Sequence, residues 1–171
     1  MKKLILYSLA TAVLAGVVTL ITDLLQNLGF ISNSTGLTFV AFACWATYFL
    51  YGGTIQAAVQ GWTSMIAGII CAIIIYVLTG VFAELGWDVA YIALPVAVIV
   101  GVFLMCMGEK VPYVNNVAAI FVGAALYFAI MGTSAAETGY VMVAVGELVY
   151  GALGLAAGYI TVVFSTKIRI A

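Results

Sequence analysis

"FACWATYFLYGGT" (residues 42–54) returns 79 residues later as "FVGAALYFAIMGT" (121–133). Laid in register, the two agree at Phe42/Phe121, Ala46/Ala125, Tyr48/Tyr127, Phe49/Phe128, Gly53/Gly132 and Thr54/Thr133. The offset is close to half of the 171-residue chain, so the phrase stands once in each half. Its meaning depends on how often the chain crosses a membrane between the copies.

Apolar residues make up 67% of the chain and charged residues 6%. A soluble domain carries about 25% charged residues, so this chain has no polar face for water and its partner is the lipid bilayer. The net charge of −1 gives no footprint for nucleic acid. There is no histidine, which removes the commonest metal ligand and general base. Cys44, Cys71 and Cys106 lie in apolar runs without C-x-x-C spacing and read as buried structural thiols. Neither a metal nor a cofactor is expected.

About 20 apolar residues cross a bilayer. Six such spans are predicted, at 4–25, 36–52, 57–80, 89–107, 114–132 and 140–164, forming one all-α membrane domain over 1–171. The opening "MKKLILYSLATAVLAGVV" has the basic head and apolar run of a signal peptide. Its apolar run continues to Ile21, and it is counted as the first span. The connections are short and rich in Gly, Asn, Ser and Thr, including "NLGFISNSTG" and "GGTIQ". The brevity of "GGTIQ" predicts that the helices it joins are antiparallel neighbours.

With six spans, Lys2, Lys3, Lys110, Lys167 and Arg169 all fall on one side. Basic residues near span ends stay in the cytoplasm, so both termini are expected there. Asp23, Glu84, Asp88 and Glu137 fall on the opposite side, Glu109 joins the basic residues, and Glu147 lies within a span.

Three spans per half, an odd number, reverse the second copy of the phrase. The fold expected is therefore two inverted three-helix repeats, about 1–84 and 85–171, related by a two-fold axis in the membrane plane. The third helices align when Gly68 is set on Gly151 with a gap of about four residues; the first and fourth show no match.

The runs "FACWATYFLYGG", "QGWTSMIAGIICAIII", "VGVFLMCM" (100–107) and "NNVAAIFVGAALYFA" (115–129) resemble the small bacterial inner-membrane proteins grouped as domain of unknown function 1097. The likeness covers about residues 38–130. It implies a polytopic inner-membrane protein and brings no activity or binding residues with it.

Function is therefore read from the polar inventory. Catalysis needs a nucleophile, a base and an orienting group within hydrogen-bond reach. Without His or a buried Lys or Asp, that set is hard to assemble, which argues against an enzyme. A pore for a small neutral or weakly charged solute needs only hydroxyls, amides and aromatic constrictions. Gln60, Asn116, Trp45, Tyr48 and Tyr127 supply these, and Glu147 adds a carboxyl. Trp45, Tyr48 and Gly52 share a helix face. Tyr48 and Tyr127 each stand near a span end and read either as interface anchors or as pore constrictions.

Glu147 lies seven residues past Tyr140, about 10 Å into the membrane. A charge at mid-bilayer costs on the order of 3 kcal/mol. The group must face the bundle or a watery cavity, or keep its proton. It is either a protonated or tyrosine-bonded glutamate that only ties helices together, or a cavity-lining residue that binds or gates solute, with the Tyr150 hydroxyl at i+3 and Gly151 at i+4 on the same face. Gly154-x-x-x-Gly158 and the pair Gly61 and Gly68 let backbones approach closely, within one protomer or between subunits of a homo-oligomer. Pro95 falls mid-span and is expected to bend the fourth helix. The expected function is a channel or facilitator; the alternative is a non-transporting structural or accessory subunit.

Overall fold

The computed structural model describes residues 1–28 and 37–170, with no account of the side chains of residues 169 and 170. Most of the first connection (29–36), the Arg169 side chain and Ala171 lie outside the described residues. The described chain is all helical: α1 (Lys2–Asn27), α2 (Thr38–Leu50), α3 (Ile55–Glu84), α4 (Leu94–Met107), α5 (Val117–Met131) and α6 (Tyr140–Ile170). A π turn at Val89–Ala93 precedes α4, and short 3₁₀ turns stand at Gly108–Lys110 and Ser134–Thr138.

Four stretches are long and apolar enough to cross a membrane: Lys2–Asn27, Ile55–Glu84, Val89–Lys110 and Tyr140–Ile168. They suggest a multi-pass membrane protein. The helices carrying the repeated phrase are shorter than their predicted spans, at 13 residues for α2 and 15 for α5. At 1.5 Å per residue they cover about 20 and 22 Å, against about 30 Å of hydrocarbon. Glycine ends α2: Gly52 and Gly53 take φ of +107° and +68°, a region that side chains with a Cβ rarely enter.

The helices group into two compact units: residues 1–59 with 130–171, and residues 60–129. The first unit holds α1, α2 and α6. Here α2 packs on α6 and α1, and α1 also lies against α6. Val18, Ala41, Trp45 and Ala157 form a buried cluster, with Leu14 and Ala15 against it. Small residues set the α2–α6 approach. A methyl group at Gly154 would fall 2.0 Å from the Ala41 carbonyl oxygen, and one at Gly158 would fall 2.5 Å from Tyr48 Cβ.

The second unit holds α4, α5 and most of α3. A methyl group at Gly68 on α3 would fall 1.9 Å from the Ile120 carbonyl oxygen on α5. One at Gly123 would fall 2.4 Å from the Met65 oxygen, and one at Gly101 on α4 would overlap the Ile75 side chain. Gly68 and Gly154 thus serve packing inside their own units, which removes them as the material of a subunit interface.

One sequence expectation is refined and one corrected. Pro95 stays inside the apolar stretch Val89–Lys110, where it opens α4 directly after the π turn. Proline cannot donate, and its ring crowds the carbonyl four residues back. The turn before it is accordingly widened: the Ala93 N–H donates to Asp88 O at 2.8 Å, and the Leu94 N–H reaches Val89 O. Asp88 also caps this turn, accepting from the Tyr91 N–H at 2.8 Å. Cys44 and Cys71 are buried, but Cys106 is exposed on α4, because its side of that helix carries no packing partner within the unit.

Candidate functional site

Glu147 projects from α6 into the interior of the first unit and is 0% exposed. Neither carboxyl oxygen has a hydrogen-bond partner among the described residues. Cys44 of α2 lies within electrostatic reach. Tyr150, also fully buried, does not bond the carboxyl. Its hydroxyl donates across to Thr22 O on α1 at 3.4 Å and also meets the Gln26 side chain. Thr22 Oγ in turn donates to Thr19 O at 2.8 Å and lies 2.8 Å from Thr38 Oγ at the start of α2. These hydroxyls satisfy one another and leave the carboxyl out.

The other candidates of this unit are engaged in structure. Trp45 Nε1 donates to Thr161 Oγ at 3.0 Å, tying α2 to α6. The Tyr48 hydroxyl donates to Gly53 O at 3.0 Å, closing the end of its own helix, and its ring covers Gly158.

In the second unit the polar side chains collect where α5 begins. Gln60 Nε2 donates to Asn115 Oδ1. Asn116 Oδ1 accepts from the Ala119 N–H at 3.1 Å, a helix N-cap. The Asn116 N–H donates to Ser64 Oγ at 3.3 Å. Thr63 Oγ stands 2.9 Å from Gln60 O and 2.5 Å from Tyr113 O. Tyr127 is fully buried with its ring centroid 6.4 Å from that of Tyr76. So Trp45, Tyr48 and Glu147 belong to one unit, and Gln60, Asn116 and Tyr127 to the other.

Sequence reasoning passed over Thr22. Its signal was its place four residues after Val18 and seven after Ala15, on the buried side of an otherwise exposed helix. Among the described residues, no group of three or more Cys, Asp or Glu side chains is placed to hold a metal.

The family described as protein of unknown function (DUF1097) matches residues 8–166. The chain belongs to this family. No curated protein and no solved structure matches it. Membership in the DUF1097 family brings no activity with it and leaves the chemistry to the side chains just described.

Proposed function

We propose that the chain is a membrane channel or facilitator for a small neutral or weakly charged solute. The observation that carries this reading is Glu147, a fully buried glutamate with two unpartnered oxygens. Such a group in a membrane helix is costly and marks a solute or ion path by default. The neighbouring hydroxyls of Thr22, Thr38 and Tyr150 bond elsewhere, which supports a role for the carboxyl other than tying helices.

The short helices support the same reading. Helix ends leave backbone groups unpaired. Non-helical backbone is tolerated at membrane depth only inside protein or beside a water-filled cavity. In our reading α2 and α5 also cross, giving six spans with both termini in the cytoplasm of a bacterium, and the solute path runs past their ends. Gln60 and Asn116 would meet the solute at one end; Trp45, Tyr48 and Tyr127 would shape the path. The protein would work as a homo-oligomer, to be checked by mass measurement in detergent.

The membership of the units supports the inverted repeat. The first and second helices of each half pack with the third helix of the other: α1 and α2 with α6, α4 and α5 with α3. The exchange α1/α4, α2/α5, α3/α6 turns one set into the other. It keeps the offset of 79 for Ala41 and Ile120, and it pairs Gly68 with Gly154 rather than with Gly151. The longer connection before α6, which includes the turn Ser134–Thr138, supplies about four of the seven added residues.

The test is flux. Liposomes carrying the protein should pass at least one of urea, glycerol, formate or ammonium faster than empty ones. Glu147→Gln should fold and assemble normally yet change that rate. No enhanced flux for any solute would favour the accessory-subunit alternative. A well-folded Gln variant with unchanged flux would leave Glu147 a structural role. Reporter fusions test the crossings: those after Gly108 and Ala171 should report cytoplasm, those after Gly29 and Glu84 the outside. An external signal at Gly108 removes both the six spans and the inversion.

A further inference from the structure

The N-terminal part of α1 stands away from the rest of the first unit and leaves two clefts that meet at one residue. The larger, about 600 Å³, lies between α1 and α2 and is lined by Tyr7, Thr11, Ala12, Ala15, Ala46 and Phe49 among others. The smaller, about 210 Å³, lies between α1 and α6 and is lined by Lys3, Tyr7 and Ser165. Tyr7 lines both, so a basic opening and an apolar slot adjoin at one side chain on the surface of α1.

We propose that this surface binds one anionic phospholipid, with its phosphate at Lys3 and an acyl chain along Ala12, Ala15 and Ala46. Charge is the first argument. Lys2, Lys3 and Lys167 are exposed at the mouth end. No acidic residue stands on α1 before Asp23, on α2, or on α6 after Glu147. Basic groups beside a bilayer attract anionic lipid. Length is the second. From Lys3 to Ala15 the helix advances about 18 Å, close to the roughly 15 Å depth of one leaflet. Small side chains along the slot leave room for methylenes, and the aromatic rings of Tyr7, Phe42 and Phe49 wall it. A second copy in the same orientation would bring its own lysines against these and be repelled. The proposal does not use Glu147, and it shares one residue, Trp45, with the solute path proposed above.

The experiment is retention of lipid by the full chain in detergent, counted by native mass spectrometry. Phosphatidylglycerol and phosphatidylcholine with the same acyl chains are supplied in turn. One phosphatidylglycerol should be retained in preference to phosphatidylcholine. Lys3→Gln should weaken its retention about five-fold, the equivalent of about 1 kcal/mol per lysine at a membrane surface. Ala12→Trp, if folded by its melting curve, should displace the lipid; if it does not fold, the Lys3→Gln result decides. Equal retention of the two lipids, or a phosphatidylglycerol preference that survives Lys3→Gln with Lys167→Gln, would overturn the proposal. So would a Ser8→Cys variant that forms a covalent dimer on mild oxidation beyond the level of the parent chain.

Discussion

In the first unit the Ala41 oxygen sits where a methyl group on Gly154 would fall 2.0 Å away; in the second, the Ile120 oxygen does the same to Gly68 at 1.9 Å. In both, a short helix lays its backbone directly on a glycine of a helix of about 30 residues. Around this shared contact the two units are furnished differently. The first puts Glu147, Tyr150 and the Trp45–Thr161 bond along α6. The second puts Gln60, Thr63 and Ser64 on α3, facing the start of α5. Under the proposed exchange Glu147 corresponds to Gly61, and Trp45 to Ala124. Packing is thus held in common, while polar chemistry is placed in one unit or the other. That is the pattern expected where the contact makes the fold and the polar groups make the function.

The largest effect should come from the shared contact. Gly68→Ala and Gly154→Ala each drive a methyl group into a carbonyl oxygen of the facing backbone. A backbone cannot turn aside as a side chain can, so overpacking of about 1–3 kcal/mol is expected at each site. Gly16→Ala and Gly80→Ala are the controls, since neither added methyl would meet a neighbour within 4 Å. Those should be neutral or gain up to about 1 kcal/mol from helix propensity. Unfolding in detergent measures all four. A large loss at Gly154 with none at Gly68 would break the equivalence of the units.

Much of this was legible in the sequence, and the omissions have a physical pattern. Hydropathy located all six helices of the described chain, because each is apolar along most of its length. It placed α3 at 57–80 where the helix runs Ile55–Glu84, and α6 at 140–164 where it runs to Ile170. Helical hydrogen bonds continue wherever no residue stops them, whatever the polarity. The same cause works in reverse at α2, which stops at Leu50 because Gly52 and Gly53 take positive φ. The repeated phrase pointed to the two helices that carry the close contacts. The pairing of α3 with α5 and of α6 with α2 could not be read, since it joins residues far apart in the chain.

The candidate site was less legible. Glu147 stood out because a lone carboxyl in an apolar run is expensive wherever it points. Tyr48 and Trp45 were equally visible by type, yet their hydrogens go to Gly53 O and Thr161 Oγ. Which acceptor a hydroxyl or indole finds depends on its rotamer and on a distant helix. Tyr150 illustrates the limit: spacing put it on the face of Glu147, and its hydroxyl reaches α1 instead.

The smallest expected effect sharpens the contrast between Trp45 and its counterpart Ala124. The Trp45 indole N–H has one acceptor, Thr161 Oγ, and Thr161 also donates to Ala157 O within its own helix at 2.8 Å. The two truncations are therefore unequal. Trp45→Phe leaves Thr161 its helical bond and loses one interhelical bond and some ring area. Thr161→Val keeps the shape, strands a buried N–H and also loses the bond to Ala157 O, so only the coupling between the two variants isolates the interhelical bond. Hydrogen bonds between membrane helices average about 0.6 kcal/mol in double-mutant cycles. A coupling of that size is expected between Trp45→Phe and Thr161→Val, measured by unfolding in detergent. A coupling near zero would mean that the indole–threonine bond adds nothing to the packing of α2 on α6. In that event the indole's place on the wall of the α1–α2 cleft, beside Ala15 and Phe42, is what remains to account for it.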